Sequence, residues 1–313
     1  MRRIVSVSIG SSKRDHKAVV NVRGEDFSIE RIGTDGDMEK AKDLLEALDG
    51  KVAVFGMGGI GIYFWGGGGR RLILRAAKPL ASIPQITPIV DGSGAKDTLE
   101  RRTIEFLTQQ DPGLFRGKRV LLTSAVDRFG MAQALHGVDC QVLYGDLIFI
   151  LGLPVPIYSL KLLETIVTVL APLVVQAPYS WLYPTGSEQE KVQTTSKYRK
   201  YYEWADIIAG DYHLIHKYML DDMKGKTIIT NTVTEDDVQW MIKRNVGELI
   251  TTTPNFQGRS YGTNVIEALM VALLDKPIEE ITDADYYGII DELGFTPRKE
   301  LLNTPASPLE KSS

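Results

Sequence analysis

Three short runs in this chain carry side chains able to do acid–base or ion-binding chemistry, and each one follows a β-rich segment. Asp211-Tyr-His213-Leu-Ile-His216 sets a carboxylate beside two of the chain's four histidines. Spaced three apart, His213 and His216 share a helix face and could ligate a metal with Asp211; alternatively Asp211 and His213 act as general acid and base. Spacing assures no third protein ligand, so no metal is assigned. Asp91-Gly92-Ser93-Gly94 ends a strand ahead of a helix whose first turn holds Lys96. Ligands gather at such strand ends in α/β proteins, so Asp91 is an acid–base candidate, with an Asx turn as the plain alternative. Ser8–Lys13, SIGSSK, offers hydroxyls and an ammonium at the end of the first strand. It reads either as an anion-binding loop built around Ser11, Ser12 and Lys13 or as a structural turn.

Two glycine-bearing turns compete for a dinucleotide. Val52–Gly61, VAVFGMGGIG, has the letters of a phosphate turn, but IYFW, four glycines and RRLILR follow it. That is a hairpin pattern, and without a helix to receive the pyrophosphate the turn lacks its binding element. The bland alternative is close packing of a flexible loop, with the glycines also able to let a ligand approach the backbone. RVLLTSAVDRFGMAQAL has the better order of strand, turn and helix, and Asp146 follows Ser124 by 22 residues. A carboxylate so placed can accept hydrogen bonds from a ribose diol, so Ser124, Arg128, Gly130 and Asp146 are the cofactor-binding candidates for NAD or NADP. Asn231 and Thr253 end two later strands. Arg259, Ser260, Thr263 and Asn264 precede or open the long helix after them, a cation and hydroxyl set suited to a carboxylate or phosphate.

The elements that must position these groups fall into two rhythms. Residues 1–112 read β-β-β-α-β-α-β-α, beginning with RIVSVSIG, KAVVNVRG and DFSIERIG as a three-stranded meander. Residues 113–313 alternate apolar strands with helices, which requires parallel pairing and predicts a Rossmann-like doubly wound sheet, most simply in order 3-2-1-4-5. An apolar helical insertion lies near 150–200. Its run from Leu147 to Pro184 is broken by four prolines and carries Lys161 and Glu164, so it predicts a buried helix near 158–176 rather than a membrane span.

Net charge is −4 with no single-sign block, which excludes an electrostatic nucleic-acid or membrane-surface binder. Cys140 is the only cysteine, so no intrachain disulfide can form. The opening MRRIVSVSIG lacks the apolar core of a signal peptide, and a cytoplasmic protein is the expectation.

Seven stretches, VSVSIGSSKRDH, RIGTDGDMEKA, VDGSGAKDTLERR, SAVDRFGMA, WLYPTG, WADIIAGDYH and GRSYGTNVIEAL, resemble a bacterial family carrying the name quinate 5-dehydrogenase. The resemblance implies a two-domain α/β oxidoreductase using NAD(P) on a small polyol or hydroxy acid. Gly56-Met57-Gly58-Gly59 matches the GxGG letters of characterised quinate and shikimate dehydrogenases, and Lys13 with Asp91 is the nearest counterpart of their Lys–Asp pair. On that reading His213 or Lys13 removes a hydroxyl proton while Arg259, Asp211, His213 and Asp91 hold the substrate between the domains, with a homodimer as the expected assembly. Separately, SIGSSK resembles the first phosphate loop of the acetate-kinase and sugar-kinase superfamily. Two alternatives therefore stay open: a nucleotide- or phosphate-dependent enzyme using that loop, and a non-catalytic protein binding a small anionic ligand.

Overall fold

The computed structural model describes the chain except residues 68–70, 178–195, 232, 254, 257–258 and 304–313, and except the side chains of Arg71, Ser196, Asn255, Phe256, Arg259 and Ser260. The fold is mixed α/β with two largely parallel sheets. In chain order the first sheet contributes β1 (Arg2–Ser8), β2 (His16–Val22), β3 (Glu25–Gly33), helix α1 (Met38–Leu48) and β4 (Val54–Gly58). A hairpin of β5 (Tyr63–Trp65) and β6 (Arg71–Ile73) follows, as the glycines between two β-rich segments predict, then α2 (Lys78–Ala81) and β7 (Ile89–Val90). The strand order is β2-β3-β1-β4-β7, with only β2 antiparallel.

The expected meander is not what forms. Arg23 and Gly24, at φ 54° and 78°, reverse the chain tightly between β2 and β3, so those two pair as a hairpin. β1 carries Ile4, Val5 and Val7, all fully buried on alternate faces. A strand apolar on both faces needs cover on both and belongs in the middle of a parallel sheet. It therefore slots between β3 and β4, parallel to each.

Helix α3 (Ser93–Gln110) leads to the second sheet: β8 (Lys118–Leu122), α4 (Phe129–His136), β9 (Cys140–Tyr144), α5 (Asp146–Phe149) and α6 (Leu160–Val174), then α7 (Ser196–Trp204), β10 (Ile207–Gly210), α8 (Tyr212–Tyr218), β11 (Thr227–Thr230), α9 (Glu235–Lys243) and β12 (Glu248–Thr251). β13 (Asn255–Phe256) and β14 (Arg259–Ser260) form a small ribbon. Of the polar run 185–197, only its last two residues fall among those described, and WLYPTG lies outside them.

All five strands β8 to β12 are parallel, but their order is 2-1-3-4-5, not 3-2-1-4-5. Ile157 bridges Tyr144 on the outer edge of β9, so the third strand cannot extend there and crosses to the free side of β8. Val120 and Leu122 face α4 and α6, while Leu121, Leu143 and Ile208 face Tyr202 of α7 and Ile215 of α8.

Two further departures matter below. α6 was expected to be buried, yet only Leu160, Leu163, Val167 and Ala171 are, while Leu162, Val169 and Leu173 are 50%, 68% and 71% exposed. The long closing helix α10 (Thr263–Leu274) leaves the second sheet and packs on the first, burying Val265, Ile266 and Leu269 against Ile4, Val54 and Val90. Apolarity dictates that α10 be buried, but not which sheet buries it. Helix α11 (Asp283–Glu292) joins it on α3, and β15 (Arg298–Leu301) then returns to β12 as an antiparallel edge. No helix among the described residues is long and apolar enough to cross a membrane.

Candidate functional site

In both sheets the first strand has neighbours wound off to either side, which leaves a crevice at its carboxyl end. The crevice of β1 is bounded by the loop Gly10–Asp15 and that of β8 by Ser124–Arg128 and Asp211. The two margins meet along one seam. Arg14 Nη1 lies 3.3 Å from His213 Nε2, and Lys96 Nζ lies 2.9 Å from both oxygens of Asp127. Trp65 from the hairpin stacks on Phe129 at 3.5 Å between ring centroids. These contacts bridge the seam at three points. A hollow of about 320 Å³ lies instead on another face of α3, where Asp291 and Glu105 already hold Arg102.

At the centre of the seam stands Arg128, 1% exposed, ion-paired with the fully buried Glu100 and reaching Asp211 Oδ2 at 3.1 Å. Asp211 also caps α8, its Oδ1 accepting from the N–H groups of His213 (2.9 Å) and Leu214 (3.3 Å), while Asn231 Nδ2 donates to Oδ2 at 3.4 Å. Burial pushes the Asp211 carboxyl up, but Arg128, His213 and Lys96 outweigh it and hold the group below its usual range. Asp127 goes the other way. Half of its side chain reaches water, yet protein crowds it on most sides, and desolvation with Asp211 and Asp91 nearby raises it against the pull of Lys96. Ser124 Oγ, Arg128 Nε and Glu100 Oε2 are buried without a hydrogen-bond partner among the described residues.

Three of the four residues expected to bind NAD(P) are committed within the fold. Asp146, 8% exposed, turns inward and accepts from the N–H groups of Ala125 and Val126, both at 3.0 Å, so its oxygens are committed to closing the turn after β8. Gly130 lies inside α4, where a Cβ would sit 2.1 Å from the Asp97 carbonyl, so its smallness serves the contact with α3 rather than a pyrophosphate. Arg128 is occupied by its two carboxylates. Only Ser124, at the carboxyl end of β8, keeps an uncommitted hydroxyl. In the first sheet, a Cβ on Gly56 would meet the Asn264 carbonyl at 2.9 Å and one on Gly58 the Ser8 hydroxyl at 2.8 Å, so those glycines serve close packing.

The catalytic assignments also change. Asp91 Oδ2 accepts from Ile62 N (2.6 Å) and Tyr63 N (2.9 Å), and Oδ1 from Ser93 N (2.9 Å), which makes it an Asx turn that pins the glycine loop. Lys13 is exposed and makes no side-chain contact with Asp91. In SIGSSK, Ser8 Oγ accepts from Arg31 and from Gly10 N, and Ser11 Oγ accepts from Lys13 N to cap the short turn. His216 stacks on Trp240 at 4.1 Å while His213 faces Arg14, and burial lowers the proton affinity of His216. Among the described residues no group of His, Cys, Asp and Glu could hold a metal ion.

The proposed anion set is divided. Asn231 and Thr253 stay at the second sheet, with Asn231 Oδ1 3.3 Å from Tyr212 N. Thr263 and Asn264 travel with α10 to the first sheet, where Asn264 Nδ2 donates to Ser6 Oγ at 2.7 Å. Arg259 and Ser260 lie in β14, with side chains outside those described. Sequence reasoning missed Glu100 and Arg14. Glu100 stands next to Arg101 and Arg102 and looks like part of a solvated helix face, and Arg14 looks like one charge in a polar turn. Only the tertiary structure sets either apart.

Residues 94–302, about two thirds of the chain, match a family described as a domain of unknown function, DUF8754, and residues 3–91 match a second, DUF8753. The chain belongs to the DUF8754 family. No curated protein matches it. Among solved structures it is similar to a galactofuranose binding protein (TM-score 0.39, 11% identity, covering 96% of this chain and 95% of that one). It is also similar to a Mycobacterium smegmatis protein in complex with β-D-fucofuranose (TM-score 0.38, 11% identity, 94% and 97%). A third is a periplasmic solute binding protein of an ABC transporter from Actinobacillus succinogenes with bound D-allose (TM-score 0.37, 10% identity, 92% and 100%). With Asp146 and Gly130 both committed inside the fold, the expectation of an NAD(P)-dependent quinate-type dehydrogenase is withdrawn.

Proposed function

We propose that this chain is a two-lobed binding protein for a small, anionic, hydroxyl-bearing molecule held along the seam between its sheets. The observation that carries the reading is the contact of Arg14 with His213. A guanidinium has no acceptor, so the imidazole Nε2 must accept from it, and neither Arg14 nor the exposed Lys13 is ion-paired with a carboxylate among the described residues. Elsewhere along the seam cations are matched, Lys96 by Asp127 and Arg128 by Glu100 and Asp211. An acidic group entering beside Arg14 would gain charge-assisted hydrogen bonds without displacing a carboxylate. The Ser124 hydroxyl, 4% exposed and unpartnered, supplies a deeper contact for a ligand hydroxyl, and burying it unpaired costs on the order of 1–3 kcal/mol. Asn231 and Thr253 stand on the same margin.

Titration calorimetry with a hexuronate, inorganic phosphate and a neutral hexose tests this. Binding of the hexuronate, weakened tenfold or more in Arg14→Ala and in Ser124→Ala, supports the proposal. Equal binding of the neutral hexose, or hexuronate affinity untouched by Arg14→Ala, ends it.

A further inference from the structure

Among the described residues, the outer face of α6 has no cover. Large apolar side chains that are about half exposed or more cluster between residues 150 and 173: Ile150, Leu151, Leu153, Val155, Tyr158, Leu162, Val169 and Leu173, at 49–71%. The polar residues of the helix, Lys161, Glu164, Thr165 and Thr168, lie along one flank, so it carries apolar side chains on both its inner and its outer face. An apolar face is ordinarily buried. Here the inner stripe of Leu160, Leu163, Val167 and Ala171 packs in the core, while Leu162, the half-buried Ile166, Val169 and Leu173 face outward.

We propose that this face is covered by the same face of a second copy of the chain, α6 against α6 about a two-fold axis. Three observations select that occupant. The outward residues follow one another by four, three and four positions, the spacing of a coiled-coil seam whose knobs fit holes on another helix. A second copy presents the same seam, and a two-fold interface requires a patch to be complementary to itself. The exposed apolar side chains of residues 150–173 together offer on the order of 800 Å², about one partner's share of a standard stable interface, so the segment 150–158 has to join α6 in the contact. Charge argues against an anionic lipid surface. Between residues 147 and 177 only Lys161 and Glu164 are charged, and the neighbouring Lys197 ammonium donates to the Gly152 carbonyl at 2.6 Å. Of the other cations on the adjoining α7, Arg199 pairs with Glu203 and Lys200 lies over the Tyr201 ring, which leaves few to hold such a surface.

Sedimentation and light scattering of the full chain at micromolar concentration test the proposal. The expected mass is twice 34.8 kDa. Val169→Glu with Leu173→Glu, both at exposed positions, should return the monomer mass and weaken dimerisation about a hundredfold or more, with the circular dichroism of the folded chain unchanged. Val169→Cys in a Cys140→Ser background should form a disulfide-linked dimer on mild oxidation. A monomeric wild type overturns the proposal. So does a dimer that survives the double glutamate variant, failure of Val169→Cys to cross-link, or pelleting of the wild type with phosphatidylglycerol vesicles.

Discussion

The two sheets share one parallel order, β3-β1-β4-β7 and β9-β8-β10-β11-β12, with the first strand between the second and third in each. What stands at their carboxyl margins differs. Around β1 and β4 the chain closes in on itself through glycines. A Cβ on Gly92 would meet Asn264 N at 2.6 Å, and one on Gly59 would meet Gly10 N at 2.9 Å. Around β8 and β10 the margin is ionic: Arg128, Glu100 and Asp211 at the centre, with Asp146 closing the turn beneath. Topology opens a crevice in both sheets, and side chains decide what fills it. A strand end in an α/β fold is therefore an address, and the occupant has to be argued residue by residue.

The comparison can be broken most severely at the ionic margin. Arg128→Met leaves Glu100 buried without a countercharge and should cost about 3–5 kcal/mol in urea unfolding, much of it restored by adding Glu100→Leu. A loss below about 1 kcal/mol would mean that the buried pair does not hold this margin. Asp146 sharpens the same point through pH. Burial raises its carboxyl from 3.8 to about 6, although Val126 and Ala125 donate to the ionised form. The native state then keeps a proton that the unfolded chain releases, so this contribution is present below pH 3.8 and is lost as pH rises toward 6. Its full size is about 3 kcal/mol. Unfolding of wild type and Asp146→Asn across pH 4–7 should differ in slope in that direction, and parallel profiles would show that Asp146 titrates normally.

At the glycine margin, Gly92→Ala forces a Cβ onto α10 at a φ of 91° and should cost about 2–3 kcal/mol by thermal unfolding. A neutral outcome would remove the case that glycines here exist for close packing. The smallest effect belongs to the exposed edge of the seam. Lys96→Ala should change stability by no more than about 1 kcal/mol, because Asp127 stays half in water.

Much of the element order was legible. Alternation placed β8 to β12 and the β5–β6 hairpin that separates Gly58 from any helix, while the choice of Asp37 over Asp35 as the N-cap of α1 came from the structure. The candidate site was legible only as a set of strand ends. Asp211, His213 and Asn231 do meet at the second sheet, since β10 and β11 are neighbours. Asp91 and Asp146 occupy strand ends as expected but turn their oxygens onto backbone N–H groups, a choice that local sequence does not reveal. Glu100 and Arg128 are 28 positions apart, and nothing short of α3 packing on α4 shows that they neutralise each other.

The chain by itself determined where strands and helices run, because period, apolarity and capping are local properties carried by neighbouring residues. It also determined that α6 would be largely apolar and that the early glycines would lead into a hairpin. Only the tertiary structure decided that β1 sits inside its sheet, that α10 crosses back to cover it, and that one side of α6 is left uncovered among the described residues. Each of those outcomes depends on which distant surfaces compete to bury the same apolar face, and that competition is settled by the whole chain at once.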